Sequence, residues 1–394
     1  MEREEARGAT APAGLRIGLA IQALDRLGGK ERDALAIAAG LTARGHDVTV
    51  LTRSARLPIP AGIAIRETAA GGWSNHDRAR RFARAVGMAQ RAEKFDAVLS
   101  FDKLKPADAY YAADVCFAGR VHGINAWLPR YATYARLEAE CLSAAGPDML
   151  FLCRKQADEY RRHYSLDAKR ALVLPPMIHD PGPHEFYERR AAVRHGFGIP
   201  TAATLAVSVA VYSRQKGLDR TIAALGEIPQ LQLLAVGLKE PASEENLAAN
   251  YGIGARARFL GYRDDVADIL SAADVMLHPA RLENTGLVIL ESLLAGVPVI
   301  ASAACGFAEY IERFGAGVVL SEPFDPSEYI AAIRMATEPQ TLAELKGRAR
   351  DSAPRLRAEG GLERILDVVE RTLRRRAAMQ QSREAARRQA NDEP

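Results

Sequence analysis

Two carboxylates in an E-x7-E spacing, Glu283 and Glu291, frame the stretch of this chain with the most chemical content. Between them Asn284-Thr285-Gly286 is polar and small, as at a helix start, and the apolar run Leu287, Val288, Ile289, Leu290 then predicts a buried helix. Glu283 would sit in the loop at the helix mouth and Glu291 about two turns along. A lone carboxylate within an apolar run is costly unless something engages it. Free N–H groups at a helix start favour an anion, and a carboxylate just ahead of them can accept hydrogen bonds from hydroxyls. A phosphate beside a polyol is a nucleotide sugar. The spacing alone also fits an ordinary buried helix with one capping and one solvated Glu; the H-P-A before it and the L-A-G-V-P-V-I-A-S after it favour the binding site.

Further candidates lie just past other apolar runs. Leu205–Val211 reads as a strand and leads into Y-S-R-Q-K-G-L-D-R, which places Arg214 and Lys216 ahead of the next helix. Arg can clamp a diphosphate with two bonds and Lys can add a point charge, although a solvated basic turn would look the same. Gly28-Gly29 follows the first strand; the pair lets backbone approach a phosphate or sugar closely, or simply makes a tight turn. It is not G-x-G-x-x-G, so no dinucleotide fingerprint is read. Asp102-Lys103 ends the run Phe95–Phe101, where open α/β sheets place ligands. Gly261-Tyr262-Arg263-Asp264-Asp265 could wall a base pocket. No two aspartates stand two apart, so no D-x-D holds a divalent cation and no metal is expected.

The elements that carry these residues alternate. Leu15–Leu24, a helix ending at Gly45 and Asp47–Thr52 make one βαβ unit, and Ala61–Thr68, a helix over Asp77–Glu93, Phe95–Phe101 and Asp148–Cys153 continue it. The Pro pair in A-L-V-L-P-P-M-I-H-D marks a crossing between domains. Strands at Leu205–Val211, Leu231–Val236, Arg258–Leu260, Val275–His278 and Val297–Ala301 then repeat the pattern. The expected division is a leader over 1–14, an N-terminal domain over 15–180, a C-terminal domain over 181–360, a helix over 361–376 and a polar, frayed tail over 377–394.

One segment stands apart. Residues 110–136 hold six aromatics (Tyr110, Tyr111, Phe117, Trp127, Tyr131, Tyr134) interleaved with Arg120, Arg130 and Arg136, in a chain that is only 6% aromatic. Such a mixture suits a face resting on an anionic membrane, although a helix pair packing its rings in a core is the more common origin.

Composition narrows the classes. At 394 residues the chain suits two domains rather than one core. With 48% hydrophobic and 26% charged residues and no long apolar run, it does not read as an integral membrane protein. A net charge of +4 is small for this length and does not point to nucleic acid. The charged N-terminus lacks the apolar core of a signal peptide, so a cytoplasmic location is expected. Cys116, Cys141, Cys153 and Cys305 show no C-x-x-C pairing and are expected as reduced thiols.

Taken in order, these pieces resemble the retaining GT-B glycosyltransferases of glycosyltransferase family 4, and within them the lipopolysaccharide core glucosyltransferases. The resemblance spans residues 15 to about 370. It is carried by the G-G turn before a helix ending R-G-H, by Y-Y-A-A-D-V-C-F-A, L-P-P, K-G-L-D-R, A-A-D-V-M-L-H-P-A and E-N-T-G, and by A-C-G-F-A-E-Y-I. It implies two doubly wound, Rossmann-like α/β domains facing across a cleft, and transfer of glucose from UDP-glucose to a heptose of the inner core. It also implies attachment to the cytoplasmic face of the inner membrane through residues 110–136, with a lipid-linked saccharide as acceptor and no cofactor beyond the UDP-sugar. Residue by residue, the Gly28-Gly29 turn meets the donor through Gly29, and Arg214 and Lys216 meet the diphosphate. Glu283 takes the sugar hydroxyls, Asn284, Thr285 and Gly286 take phosphate and sugar through backbone N–H groups, Glu291 takes the ribose, and Asp33 faces the acceptor side. Two positions depart from the family: Gln215 separates Arg214 from Lys216, and Glu309 stands where His is expected. No residue is an obvious nucleophile, which favours front-face attack with the two cations stabilising departing UDP. A hydrolysing UDP-sugar epimerase and a non-catalytic membrane adaptor remain the rival readings.

Overall fold

The computed structural model of the chain describes residues 14–68, 71–120, 127–178 and 185–392. Thirteen strands among them form two parallel sheets. The first contains β1 (Arg16–Ala20), β2 (Asp47–Thr52), β3 (Ala64–Glu67), β4 (Ala97–Ser100), β5 (Ala109–Tyr111), β6 (Asp148–Phe151) and β7 (Ala171–Val173), in the order β3-β2-β1-β4-β5-β6-β7. The second contains β8 (Thr204–Val209), β9 (Leu231–Val236), β10 (Ala257–Leu260), β11 (Val275–His278), β12 (Val299–Ser302) and β13 (Gly317–Leu320), in the order β10-β9-β8-β11-β12-β13. Both orders reverse between the first and fourth strands, as in a doubly wound fold, and a ligand crevice opens at that reversal, past the carboxyl ends of the strands.

The reason for parallel pairing is visible in the strands themselves. β4, β6, β11 and β12 are buried along their whole length, as expected when helices cover both faces of a sheet. In the second sheet, Val207, Leu234 and Met276 pack on one side with Ile289 and Leu293, while Ala206, Leu233 and Leu277 pack on the other with Leu218 and Ile222. All four cysteines are buried thiols outside any disulfide.

The chain divides into two compact units. One takes the described residues through Phe151, then Ala157–Leu174, then the stretch from Leu362; the other takes Leu152–Gln156 and Pro175–Gly361. This differs from the sequence expectation at its end. The C-terminal stretch is one continuous helix, Leu362–Asp392, so residues 377–392 are helical rather than frayed. Its Ile365, Leu366, Val369, Leu373 and Ala377 are buried at helical spacing, and Gly40 admits it closely: a Cβ there would lie 2.3 Å from Leu366 Cδ1. Arg44 pairs with Glu363, Asp367 and Glu370 at 2.7, 2.9 and 3.1 Å, and Arg376 pairs with Asp148 at 3.1 Å. These bonds make the helix part of the first unit rather than an element of its own.

β5 and β13 were not anticipated. β5 claims Tyr110 and Tyr111, which are fully buried, so the aromatic segment is not one surface. Among the described residues no helix is long and apolar enough to cross a membrane.

Candidate functional site

The second sheet brings its charges together at its switch point. β8 ends at Val209 and the chain runs through Ser213–Lys216, a single helical turn closed by Gly217 at φ +75°. A side chain at Gly217 would strain the backbone and place Cβ 2.0 Å from Pro279 O, so glycine is what lets the turn after β8 lie against the loop after β11. That loop is held in several places. Arg281 binds Asp219 through two bonds of 2.6 and 2.7 Å and donates to Arg214 O at 2.7 Å, and its N–H donates to Gln215 O at 2.8 Å. Gln215 Nε2 in turn donates to Leu282 O at 3.0 Å. The residue that departs from the family pattern therefore braces the loop immediately before Glu283.

On this frame Lys216 Nζ meets Glu283 Oε2, and His278 Nε2 lies 3.3 Å from the same oxygen. Glu283 is largely buried, and burial alone would raise its pKa; the hydrogen bond from His278 and the Lys216 charge outweigh it and hold the carboxyl down at about 2. His278 ends β11, is wholly buried, and its Nδ1 has no partner among the described residues. An ionised carboxylate only accepts, so at this contact His278 Nε2–H is the donor. Sequence spacing gives His278 no role beyond the H-P-A that precedes the site; its signal is a histidine closing an otherwise apolar strand. Arg214 is exposed, and its guanidinium has no hydrogen-bond or ion-pair partner among the described residues.

The helix after Glu283 begins with the apolar run, as expected. Leu287–Leu294 is the helix, with Gly286 as its cap at φ +82°, so Asn284 and Thr285 precede it. A Cβ at Gly286 would lie 3.1 Å from Ile289 Cδ1 and 3.2 Å from Glu283 Cγ, on top of strained backbone. The carbonyls of Asn284 and Thr285 are tied back: Cys153 Sγ reaches Asn284 O at 3.4 Å, and Phe307 N–H donates to Thr285 O at 2.7 Å. Turning carbonyls away in this manner suits a loop that offers N–H groups to a ligand. Glu291 lies within the helix, half-buried. Arg263 is exposed and pairs with Asp265, Nε to Oδ1 at 2.7 Å. Glu309 lies 3.9 Å from Arg154 Nε.

The first sheet's switch point is arranged differently. Gly28 caps the helix Gly29–Ala43, and a Cβ at Gly28 would lie 2.6 Å from Glu31 Oε2, whereas one at Gly29 meets nothing within 4 Å. The Gly28 contact is with the mobile end of the Glu31 side chain, so the chain's own packing demands neither glycine, and the open side of the pair would admit a ligand. Asp33, on the same helix, is buried and accepts from Tyr111 OH at 2.8 Å. Asp102 accepts from Gln22 N–H at 2.7 Å and from Lys30 Nζ at 3.1 Å. Lys103 is turned inward onto Glu138 and Val115 O, so its charge is spent on the fold and does not line a crevice. Glu138 is wholly buried and also accepts from Ala118 N–H at 2.8 Å and Tyr164 OH at 2.9 Å. It pins the loop that follows β5.

Past that loop, residues 121–126 lie outside the described residues. Trp127, Leu128, Arg130 and Arg136 are exposed, as is Arg120, while Tyr131 and Tyr134 pack on Phe117 with ring centroids 5.6 and 5.5 Å apart. The segment therefore splits into a core part and an outward part.

Two doubly wound α/β units in one chain, the second with cations and carboxylates gathered at its strand reversal, define a protein of the GT-B class. The chain belongs to glycosyltransferase family 4. Residues 27–180 match the family described as Glycosyltransferase Family 4, and residues 190–373 match Glycosyl transferases group 1. Lipopolysaccharide glucosyltransferase WaaG of Escherichia coli (strain K12) is 32% identical over 321 residues, 78% of this chain and 86% of the relative. The crystal structure of WaaG, a glycosyltransferase involved in lipopolysaccharide biosynthesis, is similar at TM-score 0.78 and 30% identity over 86% of this chain and 95% of that one. Anabaena HepE, solved with UDP and glucose, shares the fold at TM-score 0.68 and 18% identity over 91% and 99% of the two chains.

Proposed function

We propose that the chain transfers a hexose, glucose from UDP-glucose, to a heptose of the lipopolysaccharide inner core, with retention of configuration and without a metal or other cofactor. The observation that carries this reading is the Lys216–Glu283–His278 cluster at the second sheet's switch point. A carboxylate kept ionised at about pKa 2 is a standing acceptor for sugar hydroxyls. Arg214, exposed on the adjoining turn, and Lys216 supply positive charge where a diphosphate leaves, the role a metal fills elsewhere. Asn284, Thr285 and Gly286 present backbone N–H groups to phosphate and sugar, and Glu291 takes the ribose. Arg263 walls the base pocket. In the first unit, the open side of Gly29 meets the donor and Asp33 serves acceptor recognition.

In this scheme the bond from sugar C1 to the UDP oxygen breaks while the acceptor hydroxyl attacks C1 from the same face. The hydroxyl proton passes to the departing phosphate oxygen, and the cations offset the charge that develops there. No protein nucleophile enters the sequence. The similarity to WaaG supports the lipopolysaccharide acceptor, and the exposed Arg120, Trp127, Leu128, Arg130 and Arg136 are assigned to the cytoplasmic face of an anionic membrane, where a lipid-linked acceptor resides.

Acceptor-dependent release of UDP across a panel of UDP-sugars, with and without EDTA, tests the reading. UDP-glucose should lead, EDTA should leave the rate unchanged, and proton NMR should show the α-anomer from an α-linked donor. UDP release without acceptor would point to a hydrolysing epimerase, and no release at all to an adaptor.

A further inference from the structure

Both tryptophans of the chain stand outward: Trp73 is 100% exposed and Trp127 is 88% exposed. Trp is on average among the well-buried residue types, so two of two on the surface calls for a partner. Each lies two residues ahead of a helix, Trp73 before Asn75–Glu93 and Trp127 before Pro129–Leu142, and these two helices pack on each other. Gly72 lies close enough to the first helix that a Cβ there would be 2.8 Å from Arg78 Cγ, so the chain bearing Trp73 folds back over Arg78. The first helix buries Phe82 and Val86 and leaves Arg80, Arg81, Arg84 and Met88 outside. Asp77 is shared between Arg80 and Arg81 at 2.9 Å each, so that outer face keeps a net positive charge.

We propose that the surface meeting the membrane is built from both helix starts, with Trp73 and the arginine face of Asn75–Glu93 as a second contact beside Trp127 and Leu128. The proposal rests on the membrane reading above and extends it to an element which that reading does not include. The occupant is an anionic lipid surface: indole has an apolar body and a polar N–H that suit headgroup depth, and clustered arginines attract anionic headgroups.

The two tryptophans report on the question themselves. Trp127→Phe leaves Trp73 as the sole emitter, and Trp73→Phe leaves Trp127. Each variant is mixed with vesicles of phosphatidylcholine alone, or with phosphatidylglycerol added, carrying brominated acyl chains. With anionic vesicles the Trp73 emission should shift to the blue and be quenched, and Arg80→Gln/Arg81→Gln/Arg84→Gln should weaken co-sedimentation at least about tenfold. Quenching of Trp127 without any change in Trp73 would overturn this inference and leave the membrane reading standing. No change in either, with no co-sedimentation, would overturn both. Equal quenching of Trp73 on neutral vesicles would overturn the anionic-lipid assignment.

Discussion

The two sheets share one strand order around their reversal points and put different chemistry there. At the first, the charged groups after β1 and β4 are engaged by the fold: Asp102 with Gln22 and Lys30, Lys103 with Glu138, Asp33 with Tyr111. At the second, Glu283 gathers Lys216 and His278, and Arg214 stands exposed beside them. Topology fixes where a crevice opens; the loops past the strand ends decide what it can bind. The first unit spends charge on holding its elements, and the second concentrates charge for a ligand.

The largest effect should come from removing the charge at the centre of the second site. Glu283→Gln keeps the side chain's shape but loses the ionised acceptor, and transfer should fall by about a hundredfold or more in the UDP-release assay. Near-normal turnover would dissolve the contrast between the two sites. Next come the cations: Arg214→Ala or Lys216→Ala should each lower transfer about ten- to a hundredfold, as expected for about 1.5 to 3 kcal/mol of charge-assisted bonding. Glu291→Ala should act more gently, raising KM for UDP-glucose by about tenfold with kcat little changed, because a ribose contact is equally strong in ground and transition states.

The smallest effect is on stability. The Glu283 carboxyl is held at about 2 against an ordinary value of 4.5. A depressed pKa contributes stability that is fully present above pH 4.5 and lost as pH falls towards 2. Urea unfolding of the wild type should therefore lose more stability than Glu283→Gln across that window. Identical slopes for the two would show that Lys216 and His278 do not hold the charge.

Much of this was legible in the sequence because parallel strands buried on both faces read as apolar runs: Asp47–Thr52, Leu231–Val236 and Val275–His278 have the bounds expected of them. β5 and β13 were less visible. β5 is only three residues long and reads as part of an aromatic segment, while β13 starts at a glycine and carries just Val318, Val319 and Leu320. Past Arg376 the polar composition of the chain hides the helix, because it is held there more by polar contacts than by burial: Arg375 and Arg376 reach Asp148, and Gln380 reaches Asp108. In the second site, spacing in sequence presents Lys216 and Glu283 as separate binders of phosphate and sugar and does not show that they meet. Nor does it show Gln215 bracing the loop, which depends on β8 and β11 lying side by side, or His278 donating to Glu283, which depends on how the loop after β11 turns back over five residues.

The contrast between the two switch points is tested most directly by calorimetric titration of UDP-glucose into the wild type, Lys216→Met and Asp102→Asn, each checked for its native circular dichroism. Donor binding at the second site predicts that Lys216→Met weakens affinity at least about tenfold, the loss of one charge-assisted contact, while Asp102→Asn stays within about twofold of wild type. Unchanged affinity in Lys216→Met, or an equal loss in Asp102→Asn, would contradict it.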